Sequence, residues 1–149
     1  MKKATFVFSI LVLGAVTAFA GTISVPSFND GGGDTDANLF PPSDSATFIT
    51  LKNNTSVTQT YTILYYRLTG VDITPTENTF TIGGNAARGW RPVSTTDPNE
   101  GAGGAIPNTT GNFAASATIL YSDSVDPSGR VAIFSSTGSS YAFALFPAQ

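Results

Sequence analysis

The stretch from Ser45 to Arg67 most constrains what this chain can fold into. It reads S-A-T-F-I-T-L-K-N-N-T-S-V-T-Q-T-Y-T-I-L-Y-Y-R. Two runs rich in β-branched and aromatic residues flank a polar break at Asn53-Asn54-Thr55-Ser56, which is the pattern of a strand, a turn and a strand. Side chains alternate across a strand. In the first run Ile49 and Leu51 therefore share one face, and Phe48, Thr50 and Lys52 the other. In the second, Tyr61, Ile63 and Tyr65 oppose Thr60, Thr62, Leu64 and Tyr66. Apolar bulk on both faces predicts a strand inside its sheet. Tyr61, Ile63 and Tyr65 are expected in the core, with Asn53-Asn54 at the tip of a hairpin.

The remaining runs have the same character. Gly21 to Phe28 alternates Ile23 and Val25 with Thr22 and Ser24, and Pro26 either ends that strand or confines it to a sheet edge. Asn78–Ile82, Ala86–Val93, Phe113–Ser122 and Arg130–Ser135 read as further short strands. Ser139–Phe146 closes the series, with Tyr141, Phe143 and Leu145 alternating with Ala142 and Ala144. Asp126-Pro127-Ser128-Gly129 has the residues of a tight turn, proline fixing one corner and glycine another. Two long connections interrupt the pattern, the acidic, glycine-rich stretch from Asn29 to Asp44 and the stretch from Ser94 to Asn112. No helical period appears. About seven to eight strands separated by turn signals predict an all-β, antiparallel sandwich in a single domain over 21–149.

The first 20 residues stand apart. Lys2 and Lys3 precede an apolar run from Phe6 to Val16, and Ala18-Phe19-Ala20 fits a cleavage triplet. This is the layout of a signal peptide, a helix removed on export, with the mature chain starting at Gly21. The formal charge of −3 becomes −5 when Lys2 and Lys3 are removed. Such an acidic domain is a poor partner for nucleic acid or anionic lipid. No later segment is apolar enough for a helix to insert in a membrane after cleavage, and runs of about six to nine residues are short for a membrane-spanning barrel. The expected location is secreted, periplasmic or cell-surface, and the short lysine-led leader points to a bacterial source.

The residues Leu51-Lys52-Asn53-Asn54-Thr55-Ser56, followed by Gln59-Thr60-Tyr61-Thr62-Ile63 and then Gly70, resemble the core of bacterial surface immunoglobulin-like modules. That resemblance implies an immunoglobulin-like sandwich with a spacer, adhesive or protein-binding role. It implies no catalytic residues.

Three groups of residues carry candidate chemistry. Asp30, Asp34 and Asp36 lie in a glycine-rich stretch of the kind that can wrap a calcium ion with oxygen ligands, with Asp97, Glu100, Asp123 and Asp126 as further donors. Their spacing is not that of an EF-hand, so the alternative is a solvated loop. Arg88, Trp90 and Arg91 form the second group: a tryptophan between arginines suits stacking on a sugar or a partner's ring, or else it is a core tryptophan with arginines lying over its strand. The third is Lys52, the single lysine after the leader. With no histidine and no cysteine in the chain, the usual bases and nucleophiles are absent, and an enzyme is not expected. No cofactor is required by these residues, calcium being the one candidate.

The functional expectation is a secreted or cell-surface bacterial β-sandwich with a structural, adhesive or protein-binding role. Its partner would be a protein or polysaccharide at the cell surface, or another copy of itself. One alternative is a filament subunit that assembles by exchange of the strand 21–28, which a flexible loop separates from the rest of the domain. Another is a small carbohydrate- or calcium-binding module.

Overall fold

The computed structural model describes residues 20–30, 45–93, 109, 113–135 and 140–147. The leader, Asp34, Asp36, Asp97 and Glu100 lie outside the described residues. The strands are β1 (Gly21–Asp30), β2 (Ser45–Lys52), β3 (Gln59–Arg67), β4 (Thr79–Ile82), β5 (Ala87–Trp90), β6 (Phe113–Tyr121), β7 (Ser128–Ser135) and β8 (Ser140–Leu145). They form two antiparallel four-stranded sheets, ordered β1-β6-β3-β4 and β5-β2-β7-β8. No helix occurs among the described residues.

Inward side chains of both sheets meet in one core. Ile23, Val25 and Phe28 of β1, Ile63 and Tyr65 of β3 and Ile119 of β6 face Ile49 and Leu51 of β2, Val131 and Ile133 of β7 and Leu145 of β8. Each fully buried aliphatic side chain of this kind contributes about 1.5–3 kcal/mol. Phe48 and Phe134 occupy the alternate positions of β2 and β7 and pack edge-on, with centroids 5.8 Å apart.

The Ser45–Arg67 stretch is not a hairpin. Its two strands belong to different sheets: β2 pairs with β5 and β7, and β3 with β4 and β6. The connection 53–58 carries the chain from one sheet to the other. Asn53 is the cause. Its backbone N–H donates to Ala86 O at 2.9 Å, while its side chain turns into the protein and is fully buried. Nδ2 donates to Val57 O at 2.7 Å, Ile82 O at 3.0 Å and Gly83 O at 3.1 Å, and Oδ1 accepts from Thr55 N at 2.9 Å. These bonds hold the 53–58 connection against the turn that follows β4. The placement of β3 inside its sheet, with Tyr61, Ile63 and Tyr65 buried, is as the alternation predicts.

Two other boundaries differ from the sequence pattern. Asn29 and Asp30 extend β1, opposite Ala114 and Phe113 of β6. The strand passes Pro26 by shifting register between Val25 and Phe28, a bulge that needs no N–H from the proline. Ser128 and Gly129 are strand rather than turn, because Lys52 and Leu51 of β2 lie opposite and pair with them.

The register gives the domain two unlike ends. The connections 53–58, 83–86 and 122–127 lie at one end, beside the start of β1 and the end of β8; Gly21 is opposite Tyr121, and Ile23 bridges to Pro147. At that end Gly84 approaches so closely that a Cβ there would lie 2.2 Å from Ser56 O. Asn54 Nδ2 donates to Asp126 O at 2.9 Å, which joins the third turn to the first. The flanks of the longer connections 31–44, 68–78 and 91–112 all lie at the opposite end.

Candidate functional site

The Arg88–Arg91 segment is built by β5, whose four residues pair with the second half of β2. Trp90 lies opposite Ile49 and is only 2% exposed. Its ring tilts over Phe80 at 5.5 Å, and Nε1 donates to the Tyr65 hydroxyl at 3.0 Å. The indole is therefore part of the core that joins the two sheets. Arg91 is buried as well, and Arg88 is half-buried. The segment brings its three residues together in sequence, while its aromatic face points inward.

Asp30 ends β1; the other two acids of its group lie outside the described residues. No group of three or more acidic residues able to hold a metal occurs among the described residues. Asp123 and Asp126 sit on the β6–β7 turn and are engaged there. Asp123 accepts from Gln59 Nε2 at 2.5 Å and from Val125 N at 3.1 Å. Asp126 Oδ1 accepts from the Tyr121 hydroxyl at 2.6 Å. Lys52 is exposed at the end of β2, opposite Ala87 and Ser128. The Ser128 hydroxyl faces Asn54 Oδ1 at 3.4 Å.

Tyr61 and Tyr121 tie this polar end to the core, Tyr65 lies deeper beside Trp90, and each of the three is held in its neutral form. Burial raises Tyr61 to about 12, with the Asp123 charge adding to it. Burial also raises Tyr65, against the opposing effect of the Trp90 hydrogen bond. Tyr121 is raised to about 12 by burial and then by its bond to Asp126 and the charge there. For an acid whose folded pKa lies above its unfolded one, the folded state holds the proton more tightly, so stability falls as pH rises through that window. Urea midpoints are expected to stay level up to about pH 10, the ordinary tyrosine value, and to fall between 10 and 12. A midpoint that rises across that interval would contradict this assignment.

The surface feature that alternation alone did not find is β8. Tyr141, Phe143 and Leu145 read as one buried face, yet only Leu145 is fully buried; Phe143 is half-buried, and Tyr141 is 61% exposed. Phe146, immediately after the strand, is 76% exposed. Among the described residues β8 pairs with β7 alone and ends its sheet. Exposed edges normally carry protection against pairing with other chains. β4 and β5 are four residues long. β1 carries Pro26 and a register shift, and is bridged to Pro147. The six residues of β8, S-Y-A-F-A-L, contain no charge and no proline. The signal available in the sequence was the absence of charge and proline from this strand, which β4 and β6 share.

This geometry offers main-chain donors and acceptors along an edge, flanked by two exposed aromatic rings. It is suited to binding an extended peptide by strand addition. No protein-family model matches the chain, and neither a curated protein nor a solved structure matches it.

Proposed function

We propose that the chain is an exported, cell-surface β-sandwich of immunoglobulin-like type with a non-enzymatic, adhesive or structural role, and that it binds protein through the β8 edge. The observation that carries this reading is an edge strand, among the described residues, that lacks charge and proline and has Tyr141 and Phe146 exposed beside it. The immunoglobulin-like relation is supported by the β2–β5 and β3–β6 pairings, which have counterparts between the second and fifth and the third and sixth strands of that fold. The chain departs from it at three strands: β1 flanks β6 where an immunoglobulin sandwich has its last strand, β4 pairs with β3 rather than joining the sheet of β2 and β5, and β7 pairs with β2 rather than β6.

The leader-like residues 1–20 support export. The turn carboxylates Asp123 and Asp126 are engaged with neighbouring groups, which favours a binding surface made of backbone and aromatic rings over one made of charge.

Labelled protein starting at Gly21 should bind intact cells of the source organism, and protease treatment of those cells should abolish the binding. The double variant Tyr141→Lys/Phe146→Lys should bind at least tenfold more weakly while retaining its thermal midpoint. Binding that survives protease but not removal of surface polysaccharide would overturn the protein-binding reading. Undiminished binding by the double variant would overturn the assignment to β8.

A further inference from the structure

We propose that β1 exchanges between copies of this chain, so that β1 of one molecule occupies the position beside β6 of another. The occupant is a second copy of the chain, and the contacts are those already formed within one copy. The inference is independent of the β8 edge and of where the protein is located.

β1 is held by its sheet neighbour and by its buried side chains. Among the described strands it pairs with β6, apart from the single bridge of Ile23 to Pro147. Ile23, Val25 and Phe28 are buried, and the Phe28 ring meets Tyr65 edge-on at 5.9 Å. At its start, Gly21 lies opposite Tyr121. Near its end, Asn29 N donates to Thr47 Oγ1 at 3.2 Å, and the Thr47 hydroxyl donates to Asn29 O at 2.7 Å. The seat it fills is the edge of the first sheet beside β6, and its inward side chains join the core that holds Tyr65 and Ile119. Without β1 that seat would expose a strip of core and the main-chain edge of β6. A strand of the same sequence from another copy satisfies every one of these groups.

The connection to β2 permits the move. Asn29 and Thr47 touch, so within one copy the residues 31–44 join two points only a few ångströms apart. Fully extended, that connection reaches about 45 Å, at roughly 3.3 Å per residue. Its length therefore does not require β1 to return to its own sandwich. Because exchange trades identical contacts, its equilibrium is governed by concentration rather than by new interactions. Mutual exchange closes a dimer, and successive exchange extends a chain of subunits.

The test uses cysteines, of which the chain has none of its own. Ser24 and Thr118 are directly opposite in β1 and β6. Neighbouring strands place such pairs within disulfide reach. Chains starting at Gly21 and carrying Ser24→Cys are unfolded together with chains carrying Thr118→Cys, refolded at high concentration and oxidised. A disulfide between the two kinds of chain is expected in at least tenfold excess over that from Ser24→Cys mixed with Lys52→Cys, whose site is in the other sheet. The double variant Ser24→Cys/Thr118→Cys, refolded dilute, should close within one chain and remain monomeric. Refolded at high concentration, it should give covalent dimers or ladders. If the double variant closes within one chain while the mixed chains cross-link no more than the control pair, exchange does not occur. If the double variant fails to close in dilute solution, β1 is not seated on β6 in this register, and the proposal fails at its premise.

Discussion

Replacing Asn53 by leucine is expected to destabilise the domain by about 3 kcal/mol or more, because leaving a buried polar group unpaired costs about 1–3 kcal/mol and this side chain serves four backbone groups. The substitution keeps the size of the residue and removes its bonds, so a lower urea midpoint at unchanged slope is the expected result. Asn53→Asp separates hydrogen bonding from packing. There a carboxylate oxygen would face the carbonyls of Val57, Ile82 and Gly83 in place of an N–H donor. Burial against carbonyls raises the folded pKa of that carboxyl above its unfolded value of about 3.9. The defect is then smallest at low pH and grows as pH rises above that value. Thermal melts of the aspartate variant between pH 3 and pH 7, normalised to the parent protein, should show this slope. A flat difference would mean that the three carbonyls do not depend on Nδ2.

The second large effect is expected at Trp90. Truncation to alanine should cost about 3–5 kcal/mol, the range for removing a large aromatic ring from a core. Trp90 packs against Phe80 of the opposite sheet and donates to Tyr65 there, so the loss falls on contacts that join the two sheets. Trp90→Phe keeps much of the volume and loses the N–H. It should cost about 1–3 kcal/mol, the penalty of depriving a buried partner of its hydrogen bond together with partial loss of packing. Circular dichroism in urea is the appropriate measurement, since the chain has a single tryptophan and both variants remove it. A loss below about 0.5 kcal/mol in the alanine variant would place the ring outside the core.

The contrast between these residues explains what was legible in the sequence. Tyr61, Ile63 and Tyr65 announce their burial by alternation, because a strand's two faces have period two. That pattern fixes which face is buried but says nothing about which strand lies alongside. The hairpin reading of Ser45–Arg67 failed for this reason: an asparagine-rich break is equally suited to a turn within one sheet and to a crossing between two. The burial of Asn53 decides between them, and no composition rule distinguishes Asn53 from the exposed Asn54 beside it.

The candidate surface was harder to read. Tyr141, Phe143 and Leu145 alternate as cleanly as Tyr61, Ile63 and Tyr65, yet β8 ends its sheet among the described residues and leaves Tyr141 exposed. Edge position follows from the pairing of distant strands, a property that no local window contains. Trp90 shows the opposite case, where a residue typical of interfaces is drawn inward by contacts with Tyr65 and Phe80.

The bridge between Ile23 and Pro147 places the two ends of the described domain side by side. The order in which the strands follow one another is then a matter of where the backbone is interrupted, not of how the sheets are made. A short peptide joining those ends, with a new opening in 31–44, would turn β1 into the last strand, following β8, with the same neighbours. Compact domains commonly tolerate such rearrangement when their ends lie close together. In a chain so rearranged, the strand beside β6 would come last in sequence. The first strand of this protein can accordingly be viewed as a final strand that synthesis delivers first.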